Sequence, residues 1–273
     1  MENSNQYIQQ RVERLTQQDL NRKPNKWIAQ MPQCNCAERV LDIACGLACE
    51  SIAWARLGKK VTAIDFNLDL LIAAKKLVTS QGLKVDFVVA DATRMPFRDS
   101  AFEIAFSDAL FEHVPNWQNI ATEASRVLSQ NGVFFVRTIN RHNPINPEIN
   151  HCHLYPWLPQ SVKAPILRWV MRNKPAWVNY TKFPAINWFT HRGLARFLRE
   201  LGFETFEIFD LVRKESTSQK RRSLFFLMQL LKKFPILRYS VYPLMPMVQI
   251  LAVKTCVQEQ VVTKAAEEPA YAK

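Results

Sequence analysis

Glycine, paired cysteines and long apolar runs are all scarce in this chain. Only 6 of its 273 residues are glycine, so each glycine in a turn is a stronger structural signal than usual. The 6 cysteines include no CxxC pair, and we expect no metal site. The closest approach to a transmembrane segment, Tyr239–Val253, is 15 residues long and contains two prolines. A membrane-spanning helix needs about 20 apolar residues, so we expect none here.

Acidic residues are also in short supply, and the shortage is confined to two segments. The chain has a net charge of +12. Seven Lys and Arg stand against one acid between residues 141 and 192, and eight stand against one acid between residues 211 and 240. Because the excess is localised, it predicts a partner of negative charge and says little about the fold. The Gln- and Asn-rich N-terminus has no apolar signal-peptide core, which favours a cytoplasmic protein.

The stretch Arg39–Asp65 has the pattern of a βαβ unit. An apolar strand at Val40–Ile43 leads into a turn of small residues, Ala44-Cys45-Gly46, and then into a helix from about Cys49 to Leu57. A second apolar strand ends on Asp65, 19 positions after Gly46. Small residues let the backbone approach a ligand closely, and the acid can accept hydrogen bonds from both ribose hydroxyls. The unit predicts an adenine nucleoside site, and its single glycine argues against the three-glycine pattern of dinucleotide sites.

Strands and helices continue to alternate after this unit. We predict further strands at Val85–Val89, Phe102–Phe106, Val133–Thr138, Phe203–Val212 and Met247–Val253. The helices predicted between them are Leu68–Ser80, Asn116–Leu128 and His191–Leu201. Near-continuous apolar strands alternating with helices predict an α/β fold of Rossmann-like type, with a seven-stranded, mostly parallel sheet and helices on both faces.

Residues 141–189 interrupt this alternation. Their seven prolines predict that no long regular element forms there. A long irregular stretch inside a domain is usually functional, and we interpret it as a cap over a substrate. The predicted parts are an N-terminal helical segment (1–36), a nucleoside-binding core (37–140), the cap (141–189), the completion of the core sheet (190–258) with a basic amphipathic insertion at 213–245, and a mobile tail (259–273).

Several short motifs resemble those of the class I S-adenosylmethionine-dependent methyltransferases, especially the branch that modifies small molecules. The motifs are Val40–Gly46, Asp65, Asp91-Ala92, Met95-Pro96-Phe97, Phe102–Asp108 and Leu110–Val114. The resemblance covers roughly residues 38–138. It implies S-adenosylmethionine as cofactor and a seventh strand that runs antiparallel between the fifth and sixth. One position departs from the family pattern, because Ala48 stands where a third glycine is usual and is followed by Cys49-Glu50.

The resemblance also implies roles for residues at the strand ends. Asp42 and the turn residues Ala44, Cys45 and Gly46 would hold the methionine part of the cofactor. Asp65 would accept the ribose hydroxyls, and Phe66 would flank the adenine. Asp91 would accept the adenine amino group, and the Ala92 amide would lie near a ring nitrogen. Ser107 and Asp108 would lie beneath the cofactor, where the acceptor enters.

Methyl transfer depends mainly on alignment, because the sulfonium is already an activated leaving group. A general base is needed only when the acceptor is a hydroxyl that must lose its proton. His113 is the candidate base, although a histidine bonded to the backbone at a helix start fits the position equally well. In the cap, His151, His153 and Trp157 are the candidate acceptor contacts, and the cap tryptophans could equally form an apolar core.

The basic amphipathic insertion allows three interpretations. It could pack on the sheet, lie on an anionic membrane surface, or bind nucleic acid. Its apolar face is wide for a surface that follows phosphates, and we expect no nucleic-acid partner.

These features predict an S-adenosylmethionine-dependent methyltransferase that acts on a small-molecule acceptor, with lipids, quinones and glycan precursors as candidate classes. The alternative is a catalytically inactive protein of the same fold that serves as a binding or scaffolding subunit, for which the Ala48–Glu50 departure is the argument. We expect a cytoplasmic protein, peripheral at the inner membrane face if the basic insertion binds lipid.

Overall fold

A seven-stranded sheet forms the centre of the protein in the computed structural model. The strands are β1 (Arg39–Ile43), β2 (Lys60–Asp65), β3 (Asp86–Val89), β4 (Phe102–Asp108), β5 (Leu128–Ile139), β6 (Phe203–Glu207) and β7 (Met247–Lys254). The structure describes residues 8–9, 12–13, 15, 20–21, 23, 25–143, 149, 152, 155–174, 177, 185–207, 233–234, 241–242, 245 and 247–255.

The order of the strands across the sheet is β3-β2-β1-β4-β5-β7-β6. Strands β1 to β5 run parallel, and β7 lies between β5 and β6 and runs antiparallel to both. This confirms the predicted mostly parallel sheet and the antiparallel seventh strand. The chain leaves β1 toward β3 on one side and returns to β4 on the other, which opens a crevice at the carboxyl ends of β1 and β4.

Seven helices connect or flank these strands in the described residues. They are α1 (Lys26–Ala29), α2 (Gln33–Cys36), α3 (Cys49–Ala55), α4 (Leu68–Ser80), α5 (Trp117–Val127), α6 (Gln160–Asn173) and α7 (His191–Glu200). Side-chain caps fix three of the starts. Asn25 accepts the amide of Trp27, Asn67 accepts the amides of Asp69 and Leu70, and Thr190 accepts that of Gly193. Gly202, at φ 86°, follows the end of α7, a backbone conformation that favours glycine.

Apolar side chains bury both faces of the sheet. On one face, Leu41 and Ile43 pack with residues of α5 and α7 such as Ala124 and Leu198. On the other, Val40 and Ile104 pack in a cluster that includes Ile28, Cys34 and Trp54. Alternate residues of β1 thus point to opposite faces, as a strand requires, and the prediction of helices on both faces is confirmed. The part of segment 1–36 around Ile28 belongs to this packing.

Helix α6 corrects the expectation that prolines exclude long regular elements from residues 141–189. It runs for 14 residues with Pro165 inside it. A proline removes one backbone donor, but its ring at position 165 faces solvent, while Leu167 and Val170 on the same helix are buried. Burial of this inner face outweighs the single missing hydrogen bond.

Other predicted boundaries differ less or cannot be compared. Strand β5 begins at Leu128, directly after α5, five residues earlier than predicted. Most of residues 1–24, almost all of the insertion 213–245, the end of the predicted sixth strand after Glu207 and the tail 259–273 lie outside the described residues. Within the described part of the chain, none of the helices combines the length and apolar character that crossing a bilayer requires.

Candidate functional site

The carboxyl ends of β1, β2 and β4 bring several predicted site residues to one edge of the sheet. Ile43 in β1 is paired in register with Ile64 of β2 and with Ser107 of β4. Asp65 ends β2, and its carbonyl accepts the amide of Ala90, just before Asp91. The parallel register therefore collects side chains from four separate sequence motifs at one crevice, where ligands of open α/β sheets bind.

The turn between β1 and α3 is built from left-handed backbone conformations. Ala44, Gly46 and Ala48 have φ values of 61°, 54° and 58°. The turn is held by the Cys45 amide, which donates to the Ile64 carbonyl at 2.9 Å, and by the Ala48 amide, which donates to the Cys45 carbonyl at 2.8 Å. A left-handed conformation costs a residue with a Cβ roughly 1–2 kcal/mol, so the two alanines store strain where glycine would not.

Asp65 bridges this turn to the start of α4. One of its carboxylate oxygens accepts the Gly46 amide at 3.1 Å, and the other accepts the Asn67 amide at 2.9 Å. The side chain is buried at 6% exposure. Each carboxylate oxygen has two lone pairs, so Asp65 can hold the turn and still accept a hydroxyl from a ligand.

Asp42 is the most deeply buried acid of the crevice. Its Oδ2 accepts the Ser51 hydroxyl at 2.5 Å. Burial, together with the charges of Glu50, Asp108 and Asp65, raises the pKa of Asp42 to about 8, against the lowering effect of the Ser51 hydrogen bond. A carboxylate that is hard to ionise beside other acids is stabilised by a cationic ligand.

A structural role of Glu50 explains part of the departure from the family pattern at Ala48–Glu50. Its carboxylate accepts the backbone amide of Asn25 at 2.5 Å, which ties the residues before α1 to the first turn of α3. The negative charge also suits the positive end of that helix.

The predicted adenine contacts lie at the ends of β2 and β3. Phe66 is 70% exposed, which is unusual for an aromatic residue next to a buried strand. Asp91 is exposed, and its Oδ1 accepts the Thr93 amide at 2.8 Å, so the carboxylate shapes the following turn. Ala92 packs partly buried against the main apolar cluster. The pairing of Asp65 with Val89 brings the chain at Phe66 and the chain at Asp91 to the same edge of the sheet, where an aromatic ring and a carboxylate acceptor suit a flat ring with an amino group.

The two predicted polar residues at the end of β4 have different surroundings. Asp108 forms a two-pronged ion pair with Arg137, its register partner on β5. Ser107 is fully buried, and its hydroxyl has no hydrogen-bond partner among the described residues. The prediction from the sequence did not include Arg137, although a basic residue in the otherwise apolar run Val133–Thr138 is a signal for such a pair.

Glu112 is a second functional candidate that the sequence prediction did not select. The side chain is buried at 4% exposure and accepts the Thr138 hydroxyl at 2.7 Å. Burial raises the pKa of Glu112 to about 7, which the Thr138 hydrogen bond only partly offsets. The Asn187 side-chain amide donates to the carbonyls of Phe111 and Val114, so the chain around residue 187 holds this segment in place.

The remaining predicted site residues are His113, Trp157, His151 and His153. The His113 amide donates to the Leu110 carbonyl, and its side chain is half-buried next to Glu112. Trp157 ends a short 3-10 helix and is 57% exposed. His151 and His153 lie outside the described residues. In the part of the chain that the structure describes, no group of three or more His, Cys, Asp or Glu side chains could hold a metal ion.

Comparison with known proteins agrees with this geometry. Residues 41–136 match the family model described as "Methyltransferase domain". Over 109 residues the chain is 33% identical to a ubiquinone biosynthesis O-methyltransferase from Actinobacillus pleuropneumoniae, covering 38% of this chain and 47% of that one. Over 105 residues it is 29% identical to the sterol 4-C-methyltransferase strm-1 from Caenorhabditis elegans, covering 38% of this chain and 31% of that one. The match thus spans about half of these relatives' length, or less.

A solved structure from Galdieria sulphuraria, described as a sarcosine dimethylglycine methyltransferase, superposes with a TM-score of 0.50 at 16% identity. The superposition covers 84% of each chain and supports the fold. The family match makes residues 41–136 similar to methyltransferase domains, and the sheet order with its antiparallel seventh strand agrees with the fold of this solved structure.

Proposed function

We propose that this chain transfers the methyl group of S-adenosylmethionine to a small-molecule acceptor. The observation that carries the proposal is the group of acids Asp42, Asp65 and Asp108 around a turn of small residues at the crevice. The cofactor brings an ammonium and a sulfonium, and two positive charges relieve the repulsion and burial that raise the pKa of Asp42.

In this proposal each end of the cofactor has its own partners. Asp42 and the turn Ala44, Cys45 and Gly46 hold the methionine end, and Asp65 accepts the ribose hydroxyls. Phe66 covers one face of the adenine, whose amino group is bonded by Asp91 next to Ala92. The exposed ring of Phe66 supports this arrangement, since a bound base would shield it from water.

The geometry of the turn supports an active enzyme over a scaffolding protein. Ala48 adopts the left-handed conformation that the missing glycine would supply, so the methyl group changes the energy of the turn and leaves its shape intact. Glu50 is engaged by the Asn25 amide. The departure from the family pattern at Ala48 and Glu50 is therefore no argument for a catalytically inactive protein.

The acceptor enters, in this proposal, over Ser107 and Asp108, with the cap residues His151, His153 and Trp157 beyond. If the acceptor is a hydroxyl, His113 and Glu112 compete for the role of general base. The raised pKa of Glu112, about 7, supports this role, because a base works best when its pKa lies near the working pH. A quinone-like or sterol-like acceptor fits the names of the two curated relatives and the aromatic cap.

The place of action belongs to the same proposal. We place the protein in the cytoplasm, with peripheral contact to an anionic membrane face through the basic insertion 213–245. Lys233 and Phe234 in this insertion are both exposed. A lipophilic acceptor would be met at such a surface.

Calorimetric titration of the full chain with S-adenosylmethionine tests the proposal. Asp65→Ala should weaken binding at least about tenfold, because a charge-assisted hydrogen bond is worth roughly 1.5–3 kcal/mol. Asp86→Ala is the matched control, since Asp86 is an exposed acid at the opposite, amino end of β3. An absence of heat with wild-type protein at sub-millimolar cofactor would remove the enzyme proposal, and equal affinity of the two variants would remove only the Asp65 assignment.

A further inference from the structure

Helix α6 of the cap exposes apolar side chains that have no packing role in the described structure. Val162 is 41% exposed and Trp169 is 57% exposed. Pro165, which is also exposed, lies three residues after Val162, and Trp169 lies seven residues after Val162. That spacing puts the three side chains along one stripe of the helix. Trp157, just before the helix, is also 57% exposed.

The opposite face of α6 accounts for the helix itself. Leu167 and Val170 pack with Ile149 and Tyr155 in a small apolar cluster of their own. The helix is therefore anchored from within, and the outer stripe is not required to hold it in place. A tryptophan exposed on an already anchored helix costs solubility and indicates a partner.

The charges around the stripe identify the kind of partner. Arg168 and Arg172 flank it and are exposed, and Lys174 follows at the end of the helix. The helix sequence contains no Asp or Glu. Tryptophan beside arginine is the composition of the lipid headgroup region, where the ring stays at the boundary and the cation meets phosphate.

We infer that the outer face of α6, formed by Val162, Pro165, Trp169, Arg168 and Arg172, binds an anionic lipid bilayer surface. This adds a contact on α6 to the membrane contact proposed for the insertion 213–245. It rests on the proposed function only for its purpose, which would be access to a lipid-soluble acceptor. A protein partner or a second copy of the chain would need acids facing the two arginines.

Co-sedimentation of the full chain with vesicles tests this inference. Binding to phosphatidylglycerol vesicles should exceed binding to phosphatidylcholine vesicles and should fall with salt. The double variant R168E/R172E should bind anionic vesicles at least about tenfold more weakly, and Trp169→Ser should weaken binding to both kinds. Lys75→Glu with Lys76→Glu on the exposed face of α4 is the control with the same change in net charge.

Three outcomes would overturn the inference. Unchanged binding of R168E/R172E and Trp169→Ser would place any contact elsewhere, for instance in the insertion 213–245. An equal loss in the α4 control would reduce the effect to net charge. Dimerisation in solution that Trp169→Ser abolishes would identify a second copy as the partner. Cofactor titration of the same variants separates this result from the proposed function, because α6 variants should bind S-adenosylmethionine with unchanged affinity.

Discussion

The crevice and the outer face of the cap have opposite chemistry. The crevice gathers buried acids, of which Asp42 and Glu112 are each no more than 4% exposed. The outer face of α6 presents exposed arginines and tryptophan. Burial of a charged acid costs free energy unless the charge is compensated, whereas an exposed arginine is hydrated and can bind an anionic partner. The two regions therefore differ in both charge and exposure, with buried acids at the crevice and exposed cations on α6.

The two regions also differ in how firmly they are packed. Leu198 on α7 belongs to the large cluster that joins β1, β4 and β5 to α5 and α7. Leu167 on α6 belongs to a cluster with only three other buried members in the described residues. A segment held by a small cluster with one solvent-facing side unfolds locally more readily than a core that spans the sheet.

Matched leucine truncations are the strongest test of this contrast. Leu198→Ala should lower the free energy of unfolding by about 2–5 kcal/mol, because it leaves a cavity in the main core. Leu167→Ala should cost less in global urea unfolding and should instead speed proteolytic cleavage within the cap. Equal losses in urea would show that cap and core unfold as one unit.

The buried ring of His191 predicts that the stability of the protein depends on pH. The ring is 3% exposed, stacks on Tyr242 at 4.3 Å, and has no hydrogen-bond partner for either nitrogen among the described residues. Burial, and then the nearby His142, lower its pKa from 6.5 to about 4. The unfolded chain therefore binds more protons between pH 6.5 and pH 4, so stability should fall as the pH falls through this window, by about 3 kcal/mol in total.

His191→Phe should remove most of this pH dependence while it keeps the aromatic stacking. The measurement is the urea midpoint at pH 7 and at pH 4.5 for both proteins. His142→Gln is the companion variant, and it should remove only the smaller part that comes from the charge of His142. An unchanged slope in His191→Phe would mean that other groups govern acid unfolding.

The sequence predicted the sheet well because its strands carry dense local signals. Helix α4 was predicted at Leu68–Ser80, as observed, since Asn67 caps it and Gly82 follows it. Strand β5 was predicted too short, because Asn131 and Gly132, which are residue types typical of turns, lie inside the strand where its register with β4 shifts. The main error was the expectation of no long regular element in residues 141–189, where the seven prolines were given more weight than the apolar positions on the buried face of α6.

The positions of the candidate site residues follow from the sequence more directly than their interactions do. Asp42, Asp65 and Asp91 lie at or near the carboxyl ends of strands that a parallel sheet brings together. Their partners come from distant parts of the chain, as Arg137 does for Asp108 and Thr138 does for Glu112. Such pairs depend on strand register, which a single sequence does not specify.

The smallest expected effect concerns the strained turn at the crevice. Ala44→Gly should raise the free energy of unfolding by about 0.5–1 kcal/mol, because φ 61° is costly for alanine and the half-buried methyl contributes little packing. Ala53→Gly, in the interior of α3, is the control and should lose about 1 kcal/mol. If Ala44→Gly instead destabilises the protein while cofactor affinity stays the same, the alanine methyl is needed for packing, and the strain at this turn has been offset by its neighbours.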